Sequence, residues 1–181
     1  MKVEGLAASF DLESYGLEPT YGVLLCGVVK PWGGEPKLFR VEQVSSDDSG
    51  LVRALVEELS KYAILLAHNG VFYDRKMLNA RALKWNLPIL DPRGKMIDPV
   101  QVARRHLNMR RNSLDALADY FELSEQKMHV PAQVWVRAAL DHSEADLATI
   151  CARCESDVLV LEELSTRVLG LVGSVNFWGS A

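Results

Sequence analysis

The sequence predicts an α/β domain built on a mixed central sheet flanked by helices. Three observations carry that reading. The first third of the 181-residue chain reads as strands joined by short turns. The middle alternates short apolar runs with helical stripes, and everything after Pro99 has helical character. Three consecutive strands with short connections give an antiparallel meander. Strand–helix–strand order then gives parallel strands joined by right-handed crossovers. The composition, 49% hydrophobic and 24% charged, supports a sizeable core. No repeat, low-complexity tract or linker interrupts the chain, so residues 1–181 are expected to form one domain.

The elements follow in order. Residues 3–11 are small and apolar and end in Asp11-Leu12-Glu13. Residues 21–29 (YGVLLCGVV) are almost wholly apolar, which suits a strand buried on both faces. Pro31-Trp32-Gly33-Gly34 is a turn, and residues 37–43 alternate as a returning strand. Leu51, Leu55, Val56 and Leu59 mark the stripe of a helix over 51–62. Residues 63–67 (AILLA) form a short buried strand, and a basic helix runs from Asp74 to about Trp85. A turn over 91–95 leads into Met96-Ile97-Asp98. Pro99 suits the first turn of a helix to about Leu107. Asn112-Ser113 is placed to cap residues 114–121, and Pro131 opens a helix to about Leu140. Ser143 caps the last helix, which has Glu144 and Asp146 in its first turn and extends to about Leu169. Residues 173–181 carry no pattern.

Bulk charge does not announce a nucleic-acid binder: 20 Lys and Arg stand against 24 Asp and Glu, a net charge of −4. Three cysteines, an odd count without secretory context, favour a reducing compartment. No signal-peptide core is evident, and no apolar run approaches the roughly 18 residues that span a bilayer. The expectation is a cytoplasmic protein with no membrane partner.

Chemistry enters with the acids. Asp11 and Glu13 are two apart on a strand, so both project to one face. They repel each other unless a positive group sits between them. The alternative is a strand end passing into a polar loop, but the apolar body of the strand makes paired acids there costly without a compensating ion. Asp74 follows the 63–67 strand, and ligands of parallel sheets collect beyond the carboxyl ends of strands. Capping of the next helix by Asp74 is compatible with that role. Asn69 sits at the same strand end, placed to orient a substrate group. Asp157 falls between Cys154 and Leu161, at the margin of the last helix's apolar stripe, where a carboxylate needs a partner or a metal. Hard oxygen ligands suit Mg²⁺ or Mn²⁺. Two such ions about 4 Å apart clamp the attacking and leaving oxygens of a phosphodiester displacement. The four acids carry −4, matching the formal charge of the chain, so two divalent ions would cancel it.

At these residues the chain resembles the DEDD (DnaQ-like) superfamily of 3′–5′ exonucleases, which have a ribonuclease H-like fold. The first motif, Asp-x-Glu, is Phe10-Asp11-Leu12-Glu13. The second is His68-Asn69-Gly70-Val71-Phe72-Tyr73-Asp74, and the third is Asp157-Val158 with its apolar and acidic helix. Ile97-Asp98 to Arg104 and Ser113-Leu114-Asp115 to Ala118 resemble the stretch between them. The resemblance spans about residues 3–170. It implies a metal-dependent 3′–5′ exonuclease that releases nucleoside monophosphates from the 3′ end of single-stranded DNA or RNA. Replication or repair is its setting, and a polymerase or replication machinery its candidate partner. It implies that Asp11, Glu13 and Asp157 hold one metal, Asp11 bridges to a second, and Asp74 supports the second through water. Two alternatives stand beside it: a catalytically weakened nucleic-acid-binding module of the same fold, and a structure-selective nuclease.

One departure matters. The family carries a Tyr four residues before the last Asp or a His five before, thought to position or deprotonate the attacking water. Those places hold Arg153 and Ala152. Arginine holds its proton too tightly to serve as a base. Arg153 shares a helix face with Asp157, so it is expected to contact the scissile phosphate, to pair with Asp157, or to mark a weakened enzyme. His129 and His142 are candidate substitutes if a loop brings them in, and surface histidines otherwise. Arg110 and Arg111, in a run with Arg104 and Arg105, are candidates for a phosphate grip, the alternative being a solvated helix end. Among Phe72, Tyr73, Trp85 and Trp135, the pair Phe72 and Tyr73 is best placed to stack bases. Cys151 and Cys154 have CxxC spacing but lie on the apolar stripe, which points to core packing. Asp98 and Asp115 read as caps.

Overall fold

The computed structural model describes residues 6–171. Residues 3–5 of the expected first strand and the tail 173–181 lie outside the described residues. The elements run β1 (Ala7–Tyr15), β2 (Val23–Pro31), β3 (Lys37–Arg40), α1 (Ser49–Leu59), β4 (Ile64–Leu66), α2 (Asp74–Lys84), β5 (Lys95–Ile97), α3 (Pro99–His106), α4 (Leu114–Tyr120), α5 (Gln133–Leu140) and α6 (Glu144–Val168), with a 3₁₀ turn at Leu169–Leu171. One five-stranded sheet has the order β3-β2-β1-β4-β5. Strands β1, β2 and β3 pair antiparallel, and β4 and β5 add in parallel. This is the mixed sheet that the connection lengths predicted.

The differences from expectation are at element ends. Strand β1 runs on through Glu13 to Tyr15, because antiparallel pairing with β2 continues past the acids, with a register irregularity between Glu13 and Ser14. Strand β3 ends at Arg40, short of residue 43, and Met96-Ile97 join an edge strand beside β4. Ser143 caps α6 as expected, accepting from the Asp146 amide. Ser113 is the N-cap of α4 but makes no side-chain cap hydrogen bond.

Helix α6 packs along β1 and β2. Its stripe, Leu147, Ile150, Cys151, Cys154 and Val158, joins the sheet core with Phe10, Leu12 and Leu25. The later residues Leu161, Leu164 and Val168 belong to a second cluster with Val100, Leu114 and Leu117. Asp157 therefore sits where the two apolar clusters meet along one helix. Gly27 explains how closely helix α1 approaches the sheet: a Cβ there would stand 2.7 Å from Leu12 Cδ2 and 2.8 Å from Leu55 Cδ2.

Candidate functional site

The parallel centre of the sheet places the site. β1 delivers Asp11 and Glu13 from alternate positions, Asp11 opposite Val28 and Glu13 opposite Cys26. The turn after β4 delivers the second motif. Asn69 adopts a left-handed backbone (φ 57°), which asparagine tolerates better than most residues. Its carbonyl accepts the amides of Phe72 and Tyr73 at 2.8 and 2.9 Å. Its own amide donates to Asp98 Oδ2 at 3.0 Å, and Asp98 Oδ1 accepts from Val100 and Gln101 as the cap of α3. That turn sets Asp74 as the first residue of α2, buried to 3% exposure. Helix α6 supplies Arg153 and Asp157 one turn apart, and Cys154 Sγ donates to the Asp11 carbonyl at 3.3 Å, tying α6 to β1.

These elements enclose a cleft of about 230 Å³ lined by Asp11, Glu13, Asn69, Tyr73, Asp74, Arg153 and Asp157, with His68 and Lys127 beside them. Asp11, Glu13 and Asp157 each offer an oxygen within 4.8 Å of the others. Asp74 lines the same cleft outside that triad. Arg153 spans the acids: Nη1 pairs with Glu13 Oε1, and Nη2 lies 3.2 Å from Asp157 Oδ2. Its guanidinium stands 5.5 Å over the Trp135 ring, a cation–π contact. Lys127 Nζ lies 3.3 Å from the same Asp157 oxygen. The other, Asp157 Oδ1, is buried and has no partner.

Burial, then the neighbouring Asp157 charge, raises Asp11 from 3.8 to about 7, against the opposing pull of Arg153 and Lys127. Burial and the Asp11 charge push Asp74 well above the carboxylate range. Burial lowers His68, keeping its imidazole neutral at pH 7, and raises Tyr73, whose hydroxyl is 2.7 Å from Ser14 Oγ. Carboxylates held this close in a partly closed cleft are poised to exchange protons for a cation. Hard oxygen donors and a buried orphan oxygen fit a divalent ion.

Other expected residues lie elsewhere. Phe72 is exposed, with Lys76 Nζ 6.0 Å over its ring, and does not line the cleft. Arg110 and Arg111 are exposed and line a separate surface hollow with Asp119 and Tyr120. His129 and His142 are exposed and do not line the cleft. The loop before α5 instead contributes Lys127, which no motif marks. His68 is visible in the sequence only as the residue before Asn69. The position of Trp135 under Arg153 has no signal in residue spacing. Cys151 and Cys154 are buried thiols, as core packing requires.

A chain with this sheet order, and with acids gathered beside its central strand, is built like a nuclease of the ribonuclease H-like fold. It belongs to the RNase H superfamily: the RNase_H_2 family model, described as RNase_H superfamily, matches residues 8–169. Among curated proteins none matches significantly. Among solved structures it is similar to the family B DNA polymerase from the hyperthermophilic archaeon Pyrobaculum calidifontis, with a TM-score of 0.75 and 19% identity. That match covers 90% of this chain and 24% of the polymerase, so the chain spans about a quarter of that relative's length. At this identity the likeness concerns the fold. Among the described residues, no helix is long and apolar enough to cross a membrane.

Proposed function

We propose that the protein is a divalent-metal-dependent 3′–5′ exonuclease acting on single-stranded DNA or RNA and releasing nucleoside monophosphates. The observation that carries this reading is the convergence of Asp11, Glu13 and Asp157, one of which keeps a buried oxygen without a partner, with Asp74 in the same cleft. Asp11, Glu13 and Asp157 would hold the Mg²⁺ or Mn²⁺. A bound ion supplies Lewis-acid charge to a phosphoryl oxygen and activates water. The chain's own groups do the rest. Arg153 and Lys127 bring fixed positive charge to the phosphate beside acids that would otherwise repel it. Neutral His68 is able to accept a proton within the cleft. Beside the cleft, a hollow walled by Leu17, Tyr73 and Trp135 offers apolar surface to the terminal base. The exposed Arg110 and Arg111 suit backbone contacts further along the strand. Membership of the RNase H superfamily and the polymerase-like fold support a nucleic-acid substrate and a replication or repair setting.

End-labelled single strands test it. With Mg²⁺ or Mn²⁺, 5′-labelled DNA or RNA should shorten one nucleotide at a time, and Asp11→Ala should abolish the ladder. A second reading, a binding module with weakened catalysis, is favoured by one observation: Arg153 pairs with two of the three acids that would hold the metal. Retarded but uncut strands under both ions would select it.

A further inference from the structure

The electrostatics of the cleft point to fewer ions than the motif resemblance implies. Four carboxylates line it, Asp11, Glu13, Asp74 and Asp157, and two fixed cations, Arg153 and Lys127, stand among them. With all four acids ionised, the balance left uncompensated is two negative charges, the charge of one divalent ion. Arg153 is not a passing surface side chain. Its side chain is 17% exposed, pairs with both Glu13 and Asp157, and lies against Trp135. A guanidinium held on three sides loses little further entropy by remaining there. Lys127 adds a second cation at Asp157 Oδ2, so both cations that reach Asp157 engage the same oxygen. The other oxygen of that carboxylate is buried and bare, although its side chain is only 7% exposed. Asp157 thus has one oxygen engaged by resident cations and one buried oxygen without a partner.

We infer that the centre takes a single divalent cation, held by Asp11 and the unpartnered oxygen of Asp157, and that Arg153, assisted by Lys127, stands in place of a second ion. This rests on the metal-dependent reading above and narrows its ligand set, since Glu13 is given to the arginine. It assigns Arg153 a role other than that of a lost base: a built-in cation available to a phosphate oxygen of the substrate. Coulomb repulsion supplies the reason for exclusivity. A second dication brought beside this partly buried guanidinium meets a like charge at contact distance, in a cleft that screens less well than open water.

Mn²⁺ titration by calorimetry, with electron paramagnetic resonance to count bound ions, tests the assignment without reference to turnover. The full chain should bind close to one Mn²⁺. Arg153→Lys keeps the charge and should also bind one. Arg153→Gln and Arg153→Ala remove it and should bind two, with far-UV circular dichroism confirming that each variant is folded. If either neutral variant fails to fold, the other and the parent count still decide. Two ions in the parent would overturn the inference and leave the nuclease reading intact. One ion in both folded neutral variants would also overturn it, as would binding that appears only once Arg153 is removed. No Mn²⁺ bound by any of the four proteins would remove the metal-dependent reading itself, and the inference with it.

Discussion

Among the described residues, the Asp48–Arg81 pair and the acidic cleft are both clusters of opposite charges, and they are built to opposite ends. Asp48 and Arg81 are each 1% exposed. Asp48 accepts from Arg81 Nη2 at 2.7 Å, from Arg81 Nε at 2.8 and 3.1 Å, from Trp85 Nε1 at 2.7 Å and from the Leu24 amide at 2.9 Å. Arg81 also donates to the carbonyls of Ser46 and Pro19. One acid meets one base and the hydrogen bonding is closed. In the cleft, three clustered acids and Asp74 share two bases, and Asp157 Oδ1 is left over. The first cluster fastens the start of α1 to α2 and β2. The second leaves charge and hydrogen-bonding capacity unmet, which is what a ligand site requires and a structural clasp does not.

Substitutions that break this contrast should move the two clusters in opposite directions. The largest stability change is expected from Arg81→Ala, which strands a buried carboxylate and should cost about 3–5 kcal/mol, read as a lower urea midpoint at an unchanged slope. A loss below about 1 kcal/mol would mean that Asp48 is resolvated and the clasp is not closed. Asp11→Asn should instead leave the metal-free protein as stable or more so, because it relieves repulsion in the acid cluster. The same change should remove the thermal stabilisation by Mn²⁺, which at a hundredfold excess over Kd is about 2.7 kcal/mol for the parent. It should also slow strand shortening by roughly a hundredfold to a thousandfold, the size of a lost electrostatic group in a closed site.

A pH series sharpens the comparison. The folded state raises Asp11 from 3.8 to about 7, so between those values the native protein holds a proton that the unfolded chain has released. Metal-free stability should therefore fall as pH rises from about 4 to about 7. Asp74, raised by the same burial, adds to the slope. The ion needs the carboxylate, so Mn²⁺ stabilisation should grow over the same window. Melting temperatures with and without Mn²⁺ that run parallel across it would break the link between Asp11 and the ion. The smallest effect belongs to the surface. Arg110→Ala with Arg111→Ala should weaken strand binding and lower its salt slope by about one unit for each phosphate no longer neutralised, with melting almost unchanged. Identical salt slopes would show a solvated patch.

Several features of the site were legible as spacing. The i, i+2 rule on a strand put Asp11 and Glu13 on one side, and the i, i+4 rule put Arg153 beside Asp157. The apolar stripe of α6 placed Asp157 at a buried margin, and it is 5% exposed. Local rules of this kind succeed because the geometry of a helix or strand repeats whatever surrounds it. They fail for Lys127, which comes from a loop between α4 and α5 with no repeat to count. They fail equally for Phe72, whose neighbour Tyr73 takes the inward position at the start of α2 while Phe72 stays outside.

Residue order and periodicity alone thus determined the mixed sheet, the helical second half and the acids that belong together. These follow from backbone geometry and from the need to bury apolar faces, both of which act over a few residues. Tertiary structure decided the charge balance of the cleft. Arg153 was one residue with three open roles until Trp135 and Glu13, 18 and 140 positions away, were brought to it. Asp48 and Arg81 carried no motif at all, yet they form the closed ion pair. Electrostatic pairing acts through space and depends on which charges the fold leaves dry, and residue spacing does not encode that.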